Sequence, residues 1–427
     1  MKRKVLTLAL ALVLVVSLLA GMGGTALADD GADKLVVWCW DPTYNINAMN
    51  IAGSIYQQEH PGFELEVVET NFQDIMQKLA TAVTSGQFDV LPDIILMQDT
   101  YFQLIVASYA GAFADITDYG FKFDEFSPGK VGFSTVDGHN FGIPFDSGTA
   151  ISAYRTDVLE QAGYTIEDFT NITWSEWIEK AKVVLDKTGV PLLNGLGSSN
   201  QMVLMLQSAG GSFFNEDGSA NIVNNDILRA VVETYVEMVQ SGVYVEETGW
   251  DTYIGGMNTG RIGGAMNGCW IMSSIEAAED QSGLWAIADL PTLDGIDTAT
   301  NASSQGGSSW AITANCKNVE LAVDFFQQTF GGSMELYDEI LSTGAISTWL
   351  PAAASEKYNE PVAFFSNQPV FALITEYSAN VPAVETGAYM NNATSYVNAA
   401  ISNILYSGGT IDTELQAAED SLIFDMT

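Results

Sequence analysis

The sequence predicts a mixed α/β chain, and three observations carry that reading. A continuous apolar run of strand length stands near the start, short runs of this kind alternate with helical patterns, and 427 residues suffice for two domains with a core each. The first run, Leu35-Val36-Val37-Trp38-Cys39-Trp40, is apolar on both faces, as expected of a central strand in a sheet covered by helices. Ala48, Ile51, Ala52 and Ile55 follow at helical spacing and are closed by Pro61-Gly62; Leu65, Val67 and Val68 then mark a second strand. Phe72, Ile75, Met76, Leu79 and Val83 repeat the helical pattern up to Ser85-Gly86, and Ile94-Ile95-Leu96-Met97 reads as a third strand. Strand, helix, strand, helix, strand predicts a domain built on a mainly parallel sheet.

Further along, Thr173-Trp174-Ser175-Glu176 is a capping box for a helix whose inner face carries Trp177, Ala181, Val184 and Leu185. A second helix carries Leu228, Val231, Val232, Tyr235 and Val239 before Ser241-Gly242. Gly255-Gly256, Gly263-Gly264 and Gly306-Gly307 suit tight turns and close backbone approaches. There is no internal repeat and no low-complexity linker, so two domains would be joined by several short crossings.

Lys2, Arg3 and Lys4 precede an apolar stretch from Val5 to Ala20, and Ala26-Leu27-Ala28 offers a small-residue cleavage site, which together read as an export signal over residues 1–28. Leu19-Ala20-Gly21-Met22 resembles a lipoprotein processing box with Met22 where the lipid-bearing cysteine would stand, so no lipid anchor is expected. The formal net charge of -38 disfavours nucleic acid as a partner. Cys39, Cys269 and Cys316 form no C-x-x-C pair and leave one over, which reads as buried free thiols.

Chemistry-bearing motifs are scarce. His60 and His139 are the two histidines, too few for a histidine-held zinc, and both lie in turn-like contexts rather than in a triad. No G-x-S-x-G elbow, phosphate loop or dinucleotide fingerprint occurs. Paired carboxylates for glycoside hydrolysis remain the strongest enzyme alternative, since 53 acidic residues offer many pairs. What stands out is tryptophan in polar, glycine-bearing company: Trp40-Asp41, Asn267-Gly268-Cys269-Trp270 and Gly306-Gly307-Ser308-Ser309-Trp310. A pyranose offers a C–H face to an aromatic ring and a rim of hydroxyls to carboxylates and amides.

From about Leu35 to the C-terminus the chain resembles the extracellular solute-binding proteins of ABC importers, in the branch that carries sugars and oligosaccharides. The resemblance runs through Tyr56 to Pro61, Lys78-Leu79, Pro92-Asp93-Ile94, Gly111 to Thr117, Gly142-Ile143-Pro144-Phe145-Asp146, Leu159 to Gly163 with Thr173 to Glu176, Gly260 to Trp270, Leu290-Pro291, Gly306 to Ile312 and Lys317 to Ala322. It implies a two-lobed periplasmic-binding-protein-like fold of type II, with the ligand in a cleft between lobes joined by a multi-strand hinge. The implied division is 33–146 with 306–352 for one lobe and 147–305 with 353–427 for the other. Function and partners follow as expectations: a monomeric binder, not an enzyme and with no cofactor or metal, that carries a carbohydrate outside the cytoplasm to a membrane permease and its ATPase by lobe closure, the many tryptophans favouring an oligosaccharide over a monosaccharide. A sensory receptor subunit would share fold and ligand.

Ligands of parallel sheets sit beyond the carboxyl ends of the strands, which selects Trp40 and Asp41 after the first strand and Gln98 and Asp99 after the third. The resemblance adds Asp146 at the first crossing, Asn267 and Trp270 after the Gly263 strand, Gly307, Ser308 and Trp310 at the second crossing, and Trp349 near a third. On this reading Trp40, Trp270 and Trp310 take the sugar faces, and Asp41, Asp99, Asp146 and Asn267 take hydroxyls.

Overall fold

In the computed structural model, which describes residues 34–42, 44–109, 111–341, 345–384, 387 and 389–427, the first apolar run becomes β1 (Lys34–Cys39). The export segment and the position of Met22 lie outside the described residues. Leu35, Val37 and Cys39 are fully buried on one face of β1, while Val36 and Trp38 are partly covered on the other, where Lys78 Nζ lies 4.4 Å from the Trp38 ring. The chain continues through α1 (Asn45–Glu59), β2 (Glu64–Glu69), α2 (Phe72–Ser85), β3 (Ile94–Gln98) and α3 (Asp99–Ser108). Asn71 caps α2 by accepting the Asp74 N–H, and Gly86 ends it at φ 68°, a conformation that glycine adopts without a Cβ penalty. After α4 (Pro128–Phe133) and β4 (Gly142–Pro144) the chain leaves this first layer.

The second part contains β5 (Ala150–Arg155), α5 (Trp174–Thr188), β6 (Leu193–Gly195), α6 (Ser199–Ser208), α7 (Asp226–Gln240), β7 (Tyr244–Glu246), α8 (Trp250–Asn258), β8 (Gly264–Gly268), α9 (Ile271–Glu276) and β9 (Trp285–Ala288). The capping box at Thr173 and Glu176 is formed in both directions, as the sequence predicts. The chain then returns as β10 (Ser308–Ile312) and α10 (Val319–Gln328), and closes with α11 (Val370–Ser378), α12 (Met390–Tyr406) and α13 (Ile411–Met426).

Two sheets organise these elements. The first has the order β2-β1-β3-β10-β4; β1 is parallel to β2 and β3, while β10 is antiparallel to β3 and to β4. The second, β8-β5-β9, is antiparallel throughout, and β6 pairs in parallel with β7 beside it. The parallel reading therefore holds for the N-terminal strands and not for the second sheet.

Between the sheets the chain crosses in adjacent extended segments. The Ser147 N–H donates to the Ile346 carbonyl at 2.8 Å, the Gln305 N–H to the Gly148 carbonyl at 2.6 Å, and the Ala150 N–H to the Ser303 carbonyl at 2.8 Å. Such a ladder satisfies backbone groups that are buried where two lobes meet. It also forces close approach: a Cβ on Gly148 would stand 2.4 Å from the Gly306 carbonyl oxygen, a backbone atom that cannot swing aside. Gly148→Ala should therefore destabilise the protein by ~1–3 kcal/mol, the ordinary cost of overpacking, read as a lower urea midpoint at unchanged slope.

Candidate functional site

The carboxyl ends of the first sheet's strands carry an aromatic strip. Trp40 follows β1, Phe72 opens α2 after β2, and Tyr101 lies in the first turn of α3 after β3. Trp40 meets Phe72 edge-on at 5.6 Å, and Phe72 meets Tyr101 at 5.7 Å. Trp40, Asp41 and Gln98 are partly exposed there. Asp41 also shapes the entry to α1, its Oδ1 accepting the Tyr44 N–H at 3.1 Å.

The two other carboxylates expected to hold hydroxyls are committed within the protein. Asp99 is buried; one oxygen accepts from Lys130 Nζ and the other from Ser309 Oγ at 2.8 Å. Burial pushes the Asp99 carboxyl up to about 6 against the downward pull of Lys130. Lys130, itself buried, also donates to the Ser308 carbonyl at 2.6 Å. Asp146 accepts from the Ser308 N–H at 2.7 Å, from Ser308 Oγ at 2.8 Å and from the Tyr44 hydroxyl at 3.1 Å. Asn267 is likewise spent, donating to the Tyr253 hydroxyl and accepting the Gly268 N–H, both at 2.9 Å.

Trp310 and Trp349 need correction. Trp310 is 0% exposed and packs among Phe145, Phe326 and Phe330 at ring separations of 5.2 to 6.3 Å. The reason is strand direction: β10 runs antiparallel to β3, so its amino end meets the carboxyl edge of the sheet, and Trp310 stands two residues deeper. Trp349 is buried against Tyr337, with rings 5.8 Å apart and stacked, and its indole N–H donates to Glu125. Neither ring has a face to give a ligand. Gly307 does lie at the edge, with φ 90°, its position held open because a Cβ would meet Asp99 Oδ2 at 2.8 Å.

Trp270 is partly exposed and borders open space. Its Nε1 donates to the Gln305 carbonyl at 3.0 Å, and a Cβ on Gly268 would lie 2.3 Å from that same nitrogen. Trp250, 45% exposed just after β7, sits 6.0 Å from the Trp270 ring. Trp270 borders a cavity of about 360 Å³ to which both parts of the chain contribute. Thr100 and Phe133 come from the first part, Ser199, Asn200 and Val203 from α6, Ser304 to Gly306 from the second crossing, and Met390, Asn391 and Thr394 from α12. None of these described lining residues titrates, and Gln305 Oε1 is a buried acceptor without a hydrogen-bond partner. Sequence reasoning missed Ser199, Asn200, Gln305, Asn391 and Thr394, which carry no periodic or motif signal.

The histidines stay out of this region. His60 stacks on Tyr56 at 4.0 Å, and His139 pairs with Asp115 on the surface at 2.7 Å. The three cysteines are free and buried, as expected from their spacing, and burial pushes each thiol up to about 12, far from a nucleophilic thiolate.

The family model of bacterial extracellular solute-binding proteins matches residues 52–366. A lactose-binding protein of Rhizobium radiobacter is 36% identical over 391 residues, covering 91% of this chain and 92% of that protein. The chain belongs to the bacterial extracellular solute-binding proteins. Two solved structures show the same two-lobed fold. The sugar-binding protein MalE from Xanthomonas citri superposes with a TM-score of 0.74 at 16% identity, over 92% of this chain and 98% of its own. The galacto-N-biose/lacto-N-biose I-binding protein of a Bifidobacterium longum ABC transporter gives 0.72 at 19% identity, over 93% and 98%. As a member of an extracellular family, this solute-binding protein works outside the cytoplasm, and the relatives it matches are binding proteins.

In this solute-binding protein the buried Asp99–Lys130 pair should be structural. Asp99→Asn leaves an uncompensated ammonium in the interior and should cost about 3–5 kcal/mol in urea unfolding, whereas Asp99→Leu with Lys130→Met should recover much of that loss.

Proposed function

We propose that this protein captures a neutral carbohydrate in the cavity beside Trp270 and presents it to the membrane permease of an ABC importer. The observation that carries this reading is the cavity's chemistry. An indole stands beside hydroxyls and amides, with no charged group among the described lining residues. A sugar suits both, its C–H face covering the ring and its hydroxyls bonding the neutral polar side chains. The lactose-binding relative supports a β-galactoside as the first cargo to try.

On this reading Trp40, Asp41, Gln98 and Gly307 line the approach from the first lobe, 33–146 with 306–352. The facing lobe, 147–305 with 353–427, supplies Trp270. The crossings at residues 146–149, 303–307 and 346–348 would serve as the hinge. The protein would act as a monomer after cleavage behind Ala28. The absence of acids from the lining described weighs against a glycoside hydrolase, which needs two carboxylates about the scissile bond.

Thermal unfolding of the secreted protein with a panel of mono- and oligosaccharides tests the assignment. A melting temperature raised by one sugar class, with that sugar recovered intact, is the expected result; no shift with any sugar, or recovery of cleaved sugar, would overturn it. Trp270→Ala should weaken the bound sugar about 30-fold or more by calorimetry, the scale of a ~2 kcal/mol anchor. Trp310→Phe should lower the melting temperature and leave the dissociation constant within about twofold, because its ring lies in the core.

A further inference from the structure

A cavity of about 340 Å³ lies away from the cleft, bordered by Val106 and Ala107 near the end of α3, Phe113 beyond that helix, and Asp137, His139 and Phe141 of the segment after α4. Topology separates it from Trp270. Helix α3 starts with Asp99 at the carboxyl edge of the first sheet and rises about 1.5 Å per residue, so Val106 stands roughly 10 Å along it. Phe113 bridges to Thr313, one residue past the end of β10 that pairs with the amino end of β3. All of the described lining lies within one stretch, 106–141, and none of it lines the cavity beside Trp270. The shape of this space is therefore set within one part of the chain.

Its walls are fixed by bonds on both sides. Strands Thr135–Val136 and His139–Asn140 pair in antiparallel fashion around Asp137 and Gly138, whose φ of 51° and 78° suit the tight turn of an Asp-Gly hairpin. Gln103 of α3 donates to the Thr135 carbonyl at 2.9 Å, and the Asn140 N–H donates to Thr117 Oγ1 at 2.8 Å. His139 is oriented by Asp115, whose Oδ2 lies 2.7 Å from Nδ1. Val106 and Phe113 are buried, Phe141 is half-buried, and Asp137 and His139 are exposed at the mouth. Three rings thus border a recess with a carboxylate at its edge, and the described lining contains no lysine or arginine and no amide or hydroxyl side chain. Such a lining gives a sugar's hydroxyls few partners, and its charge repels an anion. An organic cation fits it, because ring faces and carboxylate both attract positive charge.

We propose that this cavity binds a small organic cation with an apolar body, an arylalkyl- or alkylammonium, independently of the solute in the cleft. The hydrocarbon fills the recess at Val106 and Phe113, and the ammonium rests at the mouth between Asp137 and the rings. Since water solvates the exposed carboxylate, the covered hydrocarbon and the rings supply most of the affinity, and Asp137 supplies the preference for positive charge. Confined to one stretch of chain, the site does not depend on what the cleft carries.

Amide NMR titration of the secreted protein with phenethylammonium, phenethyl alcohol and phenylpropanoate, which share an aryl body and differ in charge, tests this. Saturable shifts around Val106, Phe113 and residues 137–141 are expected with the ammonium, with about fivefold weaker binding of the alcohol and none of the carboxylate. Asp137→Asn, which keeps a residue that tolerates positive φ, should weaken the ammonium about threefold and leave the alcohol within about twofold. Ala107→Trp should fill the recess and abolish the shifts, the rest of the spectrum reporting that the fold is kept. The inference is overturned if the ammonium gives no saturable shift, if the shifts centre on Trp270, if the alcohol or the carboxylate binds as well as the ammonium, or if neither variant alters binding.

Discussion

The crossings are held together by backbone bonds between their extended segments, and Asp146 adds a side-chain tie at the point where they meet the first sheet. Asp146 stands at the end of the first crossing, takes the N–H and hydroxyl of Ser308 at the end of the second, forms a bridge with Ser347 of the third, and holds the Tyr44 hydroxyl at the start of α1. Ser308 and Tyr44, distant in sequence, thus meet at one carboxylate, while Ser347 reaches Asp146 through main-chain pairing. Lys130 completes the arrangement from α4 by bonding both Asp99 and the Ser308 carbonyl. A buried ion pair of this kind adds little net stability, because desolvation cancels most of the attraction. Its contribution is to position β3 and β10, the latter leading straight out of the second crossing.

That arrangement explains a division of labour between charges and neutral groups. In a chain of net charge -38, the carboxylates nearest the hinge are turned inward onto Lys130, Ser308 and Tyr44, and the described wall of the first cavity is left uncharged. The surrounding acidity repels anions over a range of about 8–10 Å at physiological salt, whereas a neutral polyhydroxyl solute meets no such barrier.

The elements that follow from short-range pattern were legible in the sequence. β1, β2 and β3, the capped helix after Thr173 and the helix ending at Ser241 depend on periodicity and caps that any stretch of chain displays locally. The carboxyl-edge rule placed Trp40, Asp41 and Gln98 at the rim for the same reason, since β1 and β3 run parallel. It failed to warn against Trp310, because the direction of β10 is fixed by pairing with β3 across about two hundred residues and has no local signature. Asp99 and Asp146 sit at the edge as expected, but their partner Lys130 comes from a six-residue helix whose sequence, PGKVGF, carries no sign of charge pairing. Gln305, Asn391 and Thr394 were unreadable because what unites them is a cavity assembled from distant segments.

Trp270 links the ligand space to this framework. Its ring is oriented by a bond from Nε1 to the Gln305 carbonyl, a group of the second crossing itself, and its seat exists because Gly268 and Gly306 bring bare backbone against the indole. The N–H edge is therefore consumed by the hinge and only the faces remain for a ligand. A ring held in this way loses little freedom on binding, which favours affinity without added contacts. The same bond ties ring orientation to the conformation of the crossing, so on the proposed function a movement of residues 303–307 on lobe closure would change the surface offered to the solute. On that proposal, ligand affinity and lobe closure would be two readings of one local geometry, as differential binding to two states requires.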